Sequence, residues 1–239
     1  MIKLRNMLLT AIAIVGFSTA SYAGTASIGI VTSLLDVSAS GSETDTLTVG
    51  GAAVADTSIR TKSVEDTTFT GSLFAEYTID SAWALTAGFE LTPGKADMGG
   101  KFTRTDTETS ISNTAGSVSN SKIRSVEAVA KNFGTIYIEA PIWKALYVRA
   151  GASNITIDYD TVTPLGGGKY SDSINLSGTN LGVGIKGELG SFNYKLAYEE
   201  TDYGDFSMKS NSGGVAVNSN SVKGDIDTEA FRFSLSKSF

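Results

Sequence analysis

Residues 231–239 read Phe-Arg-Phe-Ser-Leu-Ser-Lys-Ser-Phe, in which apolar and polar side chains largely alternate. Successive side chains of a β-strand point to opposite faces, so Phe231, Phe233, Leu235 and Phe239 share one face. The arginine and the serines occupy the other face. One face suits lipid and the other a polar interior, so the stretch predicts one strand of a membrane-spanning barrel.

The other end of the chain has the order of a secretory signal peptide. Lys3 and Arg5 precede an apolar run over residues 7–17, and small residues at 21 and 23 flank Tyr22 before Gly24. A charged segment, a short apolar core and a small-residue cleavage site are typical of such leaders. Residues 1–23 are therefore predicted to be a cleaved signal peptide, and residues 24–239 a single outer-membrane barrel domain.

The composition argues against several functional classes. The net charge of −6 becomes −8 once Lys3 and Arg5 leave with the leader, which opposes nucleic-acid binding. The chain has no cysteine, so no disulfide framework stabilises it. It has no histidine either, which removes the usual general base and the commonest transition-metal ligand. We therefore predict no catalytic, cofactor-binding or metal-binding residues and no enzymatic activity.

Past the leader, period-two alternation recurs and no apolar run approaches the ~20 residues of a membrane helix. Most of the alternating sets approach the roughly 9 to 11 residues that a tilted strand needs to cross a bilayer. The sets lie at 26–30, 69–79, 83–91, 128–138, 146–152, 181–189, 192–198 and 231–239. They predict an all-β fold, a closed eight-stranded antiparallel up-and-down transmembrane barrel.

The predicted connections alternate in length, as in bacterial outer-membrane barrels with tight periplasmic turns and long external loops. The short turns fall at 80–82, 141–144 and 190–191. Four long, polar, exposed loops are predicted at 41–66, 94–122, 160–178 and 204–224. The alternation changes phase near Ser153 and Asn154, which predicts a β-bulge at the outer rim.

Charged residues occupy the opposite faces of the predicted strands. An eight-stranded barrel has room inside only for side chains, so these charges must pair or hold ordered water. A closed plug of salt bridges is favoured over a gated pore or a proton path, because acids and bases nearly balance. The predicted lumen network comprises Glu76, Glu90, Glu139, Arg149, Lys186, Glu188, Lys195, Glu199 and Arg232, with Glu127 and Lys131 on the same faces.

Residues 181–200 (LGVGIKGELGSFNYKLAYEE), residues 141–152 (PIWKALYVRAGA) and the phenylalanine-ended last strand resemble the eight-stranded barrels of the OmpA transmembrane-domain, OmpX and opacity-protein type. The resemblance covers the predicted mature chain as an architecture. It implies assembly by the outer-membrane insertion machinery, which in such proteins reads the last strand. Phe231, Phe233, Leu235 and Phe239 would then form the assembly signal.

These observations favour an integral outer-membrane protein with a structural or surface-interaction role, adhesive or receptor-like, exerted through its four loops. Its expected partners are outer-membrane lipids, lipopolysaccharide and an extracellular ligand that the sequence does not identify, and it is expected to be a monomer. A small porin-like channel is the alternative. A soluble secreted barrel that binds an apolar ligand is a further one, because alternation alone does not say which face points inward.

Overall fold

The computed structural model describes residues 24–49, 52–97, 102–112, 116–161, 173–209 and 217–239. The predicted signal peptide lies outside these residues, so it stays a prediction. No helix long and apolar enough to span a membrane occurs in the described ranges. The strands are β1 (Gly24–Val49), β2 (Ala52–Ile79), β3 (Thr86–Asp97), β4 (Phe102–Ser112), β5 (Gly116–Trp143), β6 (Leu146–Thr161), β7 (Ser173–Leu189), β8 (Phe192–Lys209) and β9 (Val217–Ser238).

The strands form a closed antiparallel ring. Each pairs with its neighbour in sequence, except that β3 and β4 both pair with β5, one above the other. The last strand, β9, returns to pair with β1, from Ser27–Ser238 to Thr48–Val217. Nine strand segments therefore make eight walls, which confirms the predicted closed eight-stranded barrel.

The predicted long loops are wrong where the structure describes them, because the chain continues there as paired strand. The β1–β2 ladder runs from Gly24–Ile79 to Val49–Ala52, through all of the predicted loop 41–66 except residues 50 and 51, which lie outside the described ranges. The hairpin of β4 and β5 replaces most of loop 94–122, and the β8–β9 ladder reaches Lys209–Ser221. Residues 41–66 and 94–122 are rich in threonine, which favours strands, but their polar residues lie on both faces and hide the alternation that reveals a strand.

The part of the wall nearest the tight turns carries an apolar outer surface. We call the end with the tight turns at 144–145 and 190–191 the turn end and the opposite end the hairpin end. Large apolar side chains point outward there and form a belt that suits bilayer hydrocarbon. The belt contains Ile28, Ile30, Leu34, Phe69, Leu73, Ile136, Ile138, Val148, Leu181, Val183, Ile185, Leu196, Phe231 and Phe233, all of them exposed.

Toward the hairpin end, the polarity of the two faces reverses, and on β1 it does so without any change of strand phase. On β1, Leu34 is the last apolar outward residue, and Asp36 and Ser38 follow it on the same face. The inward residues Leu35 and Val37 are buried in an apolar cluster with Ala130, Ile155, Ile157, Leu176, Tyr203, Ile226 and Ala230. The barrel therefore rises above its belt as a section with a polar outside and an apolar inside.

The predicted bulge at Ser153 and Asn154 is also wrong, since the β6–β7 register is continuous there. Ile155 and Ile157 continue on the inward face of β6 into the apolar cluster. The bulge lies on the facing strand β5, between Lys131 and Gly134, where Asn132 has a positive φ of 56°. It turns Lys131 outward, where its ammonium pairs with Asp158 instead of entering the lumen as predicted.

Candidate functional site: the interior charge network

Four long side chains from four strands form a closed ring of ion pairs inside the belt. Arg149 of β6 lies 3.2 Å from Glu90 of β3 and 3.1 Å from Glu199 of β8, measured between nitrogen and oxygen atoms. Arg232 of β9 contacts the same two carboxylates, that of Glu199 at 2.5 Å. Acids and bases alternate around this ring, so each charge faces two of opposite sign. We call these four residues the arginine ring.

A second cluster lies nearer the turn end and centres on Lys195 of β8. Its Nζ is 2.6 Å from Glu76 Oε2 of β2 and 2.6 Å from Glu139 Oε2 of β5. The Tyr137 hydroxyl donates a hydrogen bond of 3.3 Å to Glu76, while the Tyr137 ring lies 3.6 Å from the guanidinium carbon of Arg149. Tyr137 therefore joins this lysine cluster to the arginine ring, through a hydrogen bond at its hydroxyl and a cation–π contact at its ring face.

Seven of the nine predicted lumen residues belong to these two clusters, and Lys186 and Glu188 do not. The even-numbered residues of β7 point inward, but these two lie close to the tight turn at 190–191. Lys186 is half-buried opposite Lys195, and Glu188 is exposed opposite Asn193. They occupy the mouth at the turn end rather than the packed interior.

Aromatic rings complete the interior, which the charge pattern alone did not predict. Tyr137 and Tyr147 are inward-facing and buried, and each lies across the ladder from a glycine, Gly88 and Gly184 respectively. A Cβ at Gly88 would fall 2.4 Å from the Tyr137 ring, and one at Gly184 would fall 2.7 Å from Tyr147. These two glycines make room for the tyrosine rings, because neither has a side chain where the ring lies. The alternation around Ile136 and Ile138 already placed Tyr137 inward, so that signal was available in the sequence.

Replacing Gly88 with alanine is expected to lower the free energy of unfolding by about 1 to 3 kcal/mol, because overpacking displaces a buried ring. The matched control is Gly71→Ala on β2, where an added Cβ meets only a backbone oxygen at 3.9 Å. Urea titration of both variants in lipid vesicles measures the difference. Equal midpoints for the two variants would contradict the close ring packing at Gly88.

The two clusters and the tyrosines leave little free space. A cavity of about 20 Å³ lies between them, bounded by Glu90, Glu139, Tyr137, Tyr147 and Arg149 among others. This volume holds roughly one water molecule. The apolar cluster packs above it, so the interior has a polar layer and an apolar layer in succession.

Outside the barrel, just above the belt, lies an acidic face, of which only Asp205 and Glu65 fall within the predicted loops. Carboxylates face each other across the β8–β9 ladder at Glu200–Glu229, Asp202–Asp227 and Asp205–Asp225. The face continues onto β1 and β2 at Asp36 and Glu65. Partial burial, together with the nearby carboxylates of Asp202 and Asp225, raises the pKa of Asp227.

No protein-family model matches the chain, and no curated protein matches it. Several solved structures do match the chain. The outer-membrane protein OprG from Pseudomonas aeruginosa shares 14% identity and a TM-score of 0.52, covering 91% of this chain and 97% of OprG. The outer-membrane protease OmpT from Escherichia coli gives 10% identity, a TM-score of 0.43 and coverage of 92% and 100%. The outer-membrane protein AlkL shares 18% identity with a TM-score of 0.41, and the match covers 92% of each chain. The likeness to OprG is one of fold, and this chain has the fold of the small outer-membrane barrels.

Proposed function

We propose that this chain is an integral outer-membrane protein whose lumen is sealed and whose role is structural or surface-interacting. The filled interior carries this proposal. The arginine ring and the lysine cluster cross-link six of the eight walls and leave a cavity of about 20 Å³. Ions crossing such a layer would have to displace buried, paired charges, which is strongly unfavourable.

The section of the barrel above the belt supports a role at the cell surface. The belt surrounds the polar interior layer and is the part of the outer surface that suits bilayer hydrocarbon. The section above the belt has a polar outer surface and therefore extends into water. That section presents the paired β1–β2, β4–β5 and β8–β9 hairpins instead of the predicted flexible loops. A wall of paired strands has fewer accessible backbone conformations than an unpaired loop, which reduces the entropy lost when a partner binds.

In a planar bilayer, the purified protein is expected to give no discrete conductance steps. The assay is calibrated with the double variant Glu199→Ala, Arg232→Ala, which removes one acid and one base from the arginine ring and enlarges the cavity. We expect this variant to pass more current than the natural chain. Stable conductance steps from the natural chain would refute the sealed lumen and favour the channel alternative.

The same preparation tests the membrane level. The chain has no cysteine, so Ile30→Cys and Ser38→Cys each provide a single labelling site on the outward face of β1. A spin label at 30 is expected to be accessible to oxygen and one at 38 to water-soluble reagents. The opposite pattern would contradict the proposed position of the belt in the bilayer.

A further inference from the structure

The apolar belt carries a groove on its outer surface, between two rows of outward side chains. Its volume is about 650 Å³, within the roughly 300 to 1,000 Å³ of typical small-molecule sites. The backbone of the inward-pointing residues Gly184, Ala197 and Arg232 forms its floor. We call it the belt groove.

The strand register aligns the two rows. Within each row every residue is the ladder partner of the next, and the rows lie two residues apart along each strand. That separation is about 6.6 Å of strand, narrower than the ~10 Å diameter of an α-helix, so the groove admits one linear chain. The turn-side row contains Leu146, Ile185, Leu196, Phe233 and Thr32, and the hairpin-side row contains Val183, Tyr198, Phe231, Leu34 and Phe69.

The belt groove climbs from the turn end toward the hairpin end. Its turn-side row begins at Leu146, directly after the 144–145 turn, and reaches Gly71, the partner of Thr32 and eight residues from the turn-end limit of β2 at Ile79. The row crosses five strand spacings of ~4.8 Å, and strands of such barrels tilt by about 40°, so the groove rises ~15 Å along the barrel axis. This rise is half of the ~30 Å hydrocarbon core. The groove therefore matches one acyl chain of a membrane lipid in length.

The mouth of the groove, at the turn end, is basic. Trp143, the ladder partner of Leu146, continues the turn-side row, and Lys144 Nζ lies 4.9 Å from the centroid of its exposed ring. The Lys186 N–H donates to the Ala145 carbonyl at 2.9 Å, which ties this turn to β7. Lys144 forms no ion pair among the residues that the structure describes. An ammonium beside an aromatic ring at the membrane interface suits the phosphate of a lipid headgroup.

The opposite end of the groove is acidic. Glu200, Glu229 and Asp36 of the acidic face each lie two residues beyond the hairpin-side row, and they are successive ladder partners. Carboxylates at this end repel a phosphate, whereas Lys144 attracts one. Charge therefore places the headgroup of a bound lipid at the turn end, with its acyl chain rising along the groove.

We propose that the belt groove binds one acyl chain of a phospholipid with an anionic headgroup, whose phosphate contacts Lys144. A zwitterionic headgroup carries its own cation beside the phosphate, which Lys144 would meet as a like charge. This inference rests on the proposed position of the belt in the bilayer and names a lipid class that the belt selects.

Native mass spectrometry of the full folded chain tests the headgroup, with phosphatidylglycerol and phosphatidylcholine of identical acyl chains as probes. One phosphatidylglycerol is expected to stay bound at lipid concentrations at which phosphatidylcholine is lost. Lys144→Ala should weaken its binding about fivefold, as for one interfacial cation, and Lys144→Arg should retain it. Lys237→Ala removes an exposed cation at the turn end three strands away, on β9, beyond about one Debye length, and should leave the affinity unchanged.

A second pair of variants tests the groove itself. Val183→Trp adds a large ring between the two rows, on the outward face of β7, and should weaken phosphatidylglycerol binding about tenfold, as for two methylenes forced out of the groove. Ile138→Trp makes a similar change at an exposed belt position on β5 that does not line the groove. It should leave the affinity unchanged. The mobility difference between unboiled and boiled protein on gels verifies that every variant is folded.

Four results would overturn the inference. They are loss of phosphatidylglycerol from the natural chain, equal retention of the two lipids, equal weakening by Val183→Trp and Ile138→Trp, and a dimer mass that Val183→Trp abolishes. The last would mean that a second copy occupies the groove. If the spin labels at 30 and 38 give their expected pattern, any of these results refutes only the lipid site, whereas the opposite pattern refutes the position of the belt as well.

Discussion

Arg149→Ala is expected to destabilise the barrel by about 3 to 5 kcal/mol, because it removes one partner of a buried charge network. Arg149 bridges Glu90 and Glu199 and stacks on Tyr137. Without it, both carboxylates depend on Arg232 alone, and a net negative charge stays buried. Urea titration in lipid vesicles, followed by the mobility difference between folded and unfolded protein on unboiled gels, measures the loss.

Two further variants test whether this loss of stability comes from leaving a buried charge unpaired. Lys131→Ala removes a cation of the partly exposed pair with Asp158 and should cost roughly 0 to 1 kcal/mol. Arg149→Ala combined with Glu199→Ala leaves Glu90 and Arg232 as a neutral pair, so the double variant should be more stable than the two single losses added together. If Arg149→Ala were as mild as Lys131→Ala, the arginine would not be buried in the lumen.

Deletion of Phe239 is expected to reduce insertion into the outer membrane strongly, with accumulation or degradation in the periplasm. Its backbone N–H donates to the Ala26 carbonyl at 2.9 Å, which extends the closing β1–β9 ladder, and its ring is 72% exposed at the turn end. Anchoring this ring at the lipid interface is worth roughly 1.5 to 3 kcal/mol if it is fully buried there. The larger effect is on assembly, since closure satisfies backbone groups that lipid does not solvate. Cell fractionation and immunoblotting measure the amount inserted.

The conservative change Phe239→Tyr should be nearly silent, because it keeps an aromatic ring at the interface. Thr61→Ala, an exposed site on β2 far above the belt, is the neutral control. If the deletion reached the outer membrane as efficiently as Thr61→Ala, the interpretation of Phe231, Phe233, Leu235 and Phe239 as an assembly signal would be wrong.

The barrel and its lumen acids were predictable because both depend on period-two alternation. A strand buried against lipid on one face and against paired charges on the other must alternate, so Glu76, Arg149 and Arg232 are identified as inward by their apolar neighbours. Pairing among those charges follows from the narrow interior of eight strands. Which acid meets which base does not follow, because the contacts cross the lumen between strands far apart in sequence.

The upper half was not predictable by the same rule. Leu35, Val37, Ile155 and Ile157 keep the inward phase of their strands, but the environment of the faces changes once the wall leaves the bilayer. When apolar residues are assigned to the outer face throughout, this reversal is mistaken for a bulge near Ser153 or for a loop. The actual bulge, at Asn132, has no distinct sequence signal.

The sequence by itself therefore determined the eight walls, the apolar belt and most of the inward charges, though not the outward position of Lys131, because strand alternation is a local property of neighbouring residues. The tertiary structure decided the partners of Arg149 and Lys195, the Tyr137 link between them and the reversal of polarity above the belt. Those features depend on distances across the ring and on where the wall leaves the membrane, which local alternation does not encode.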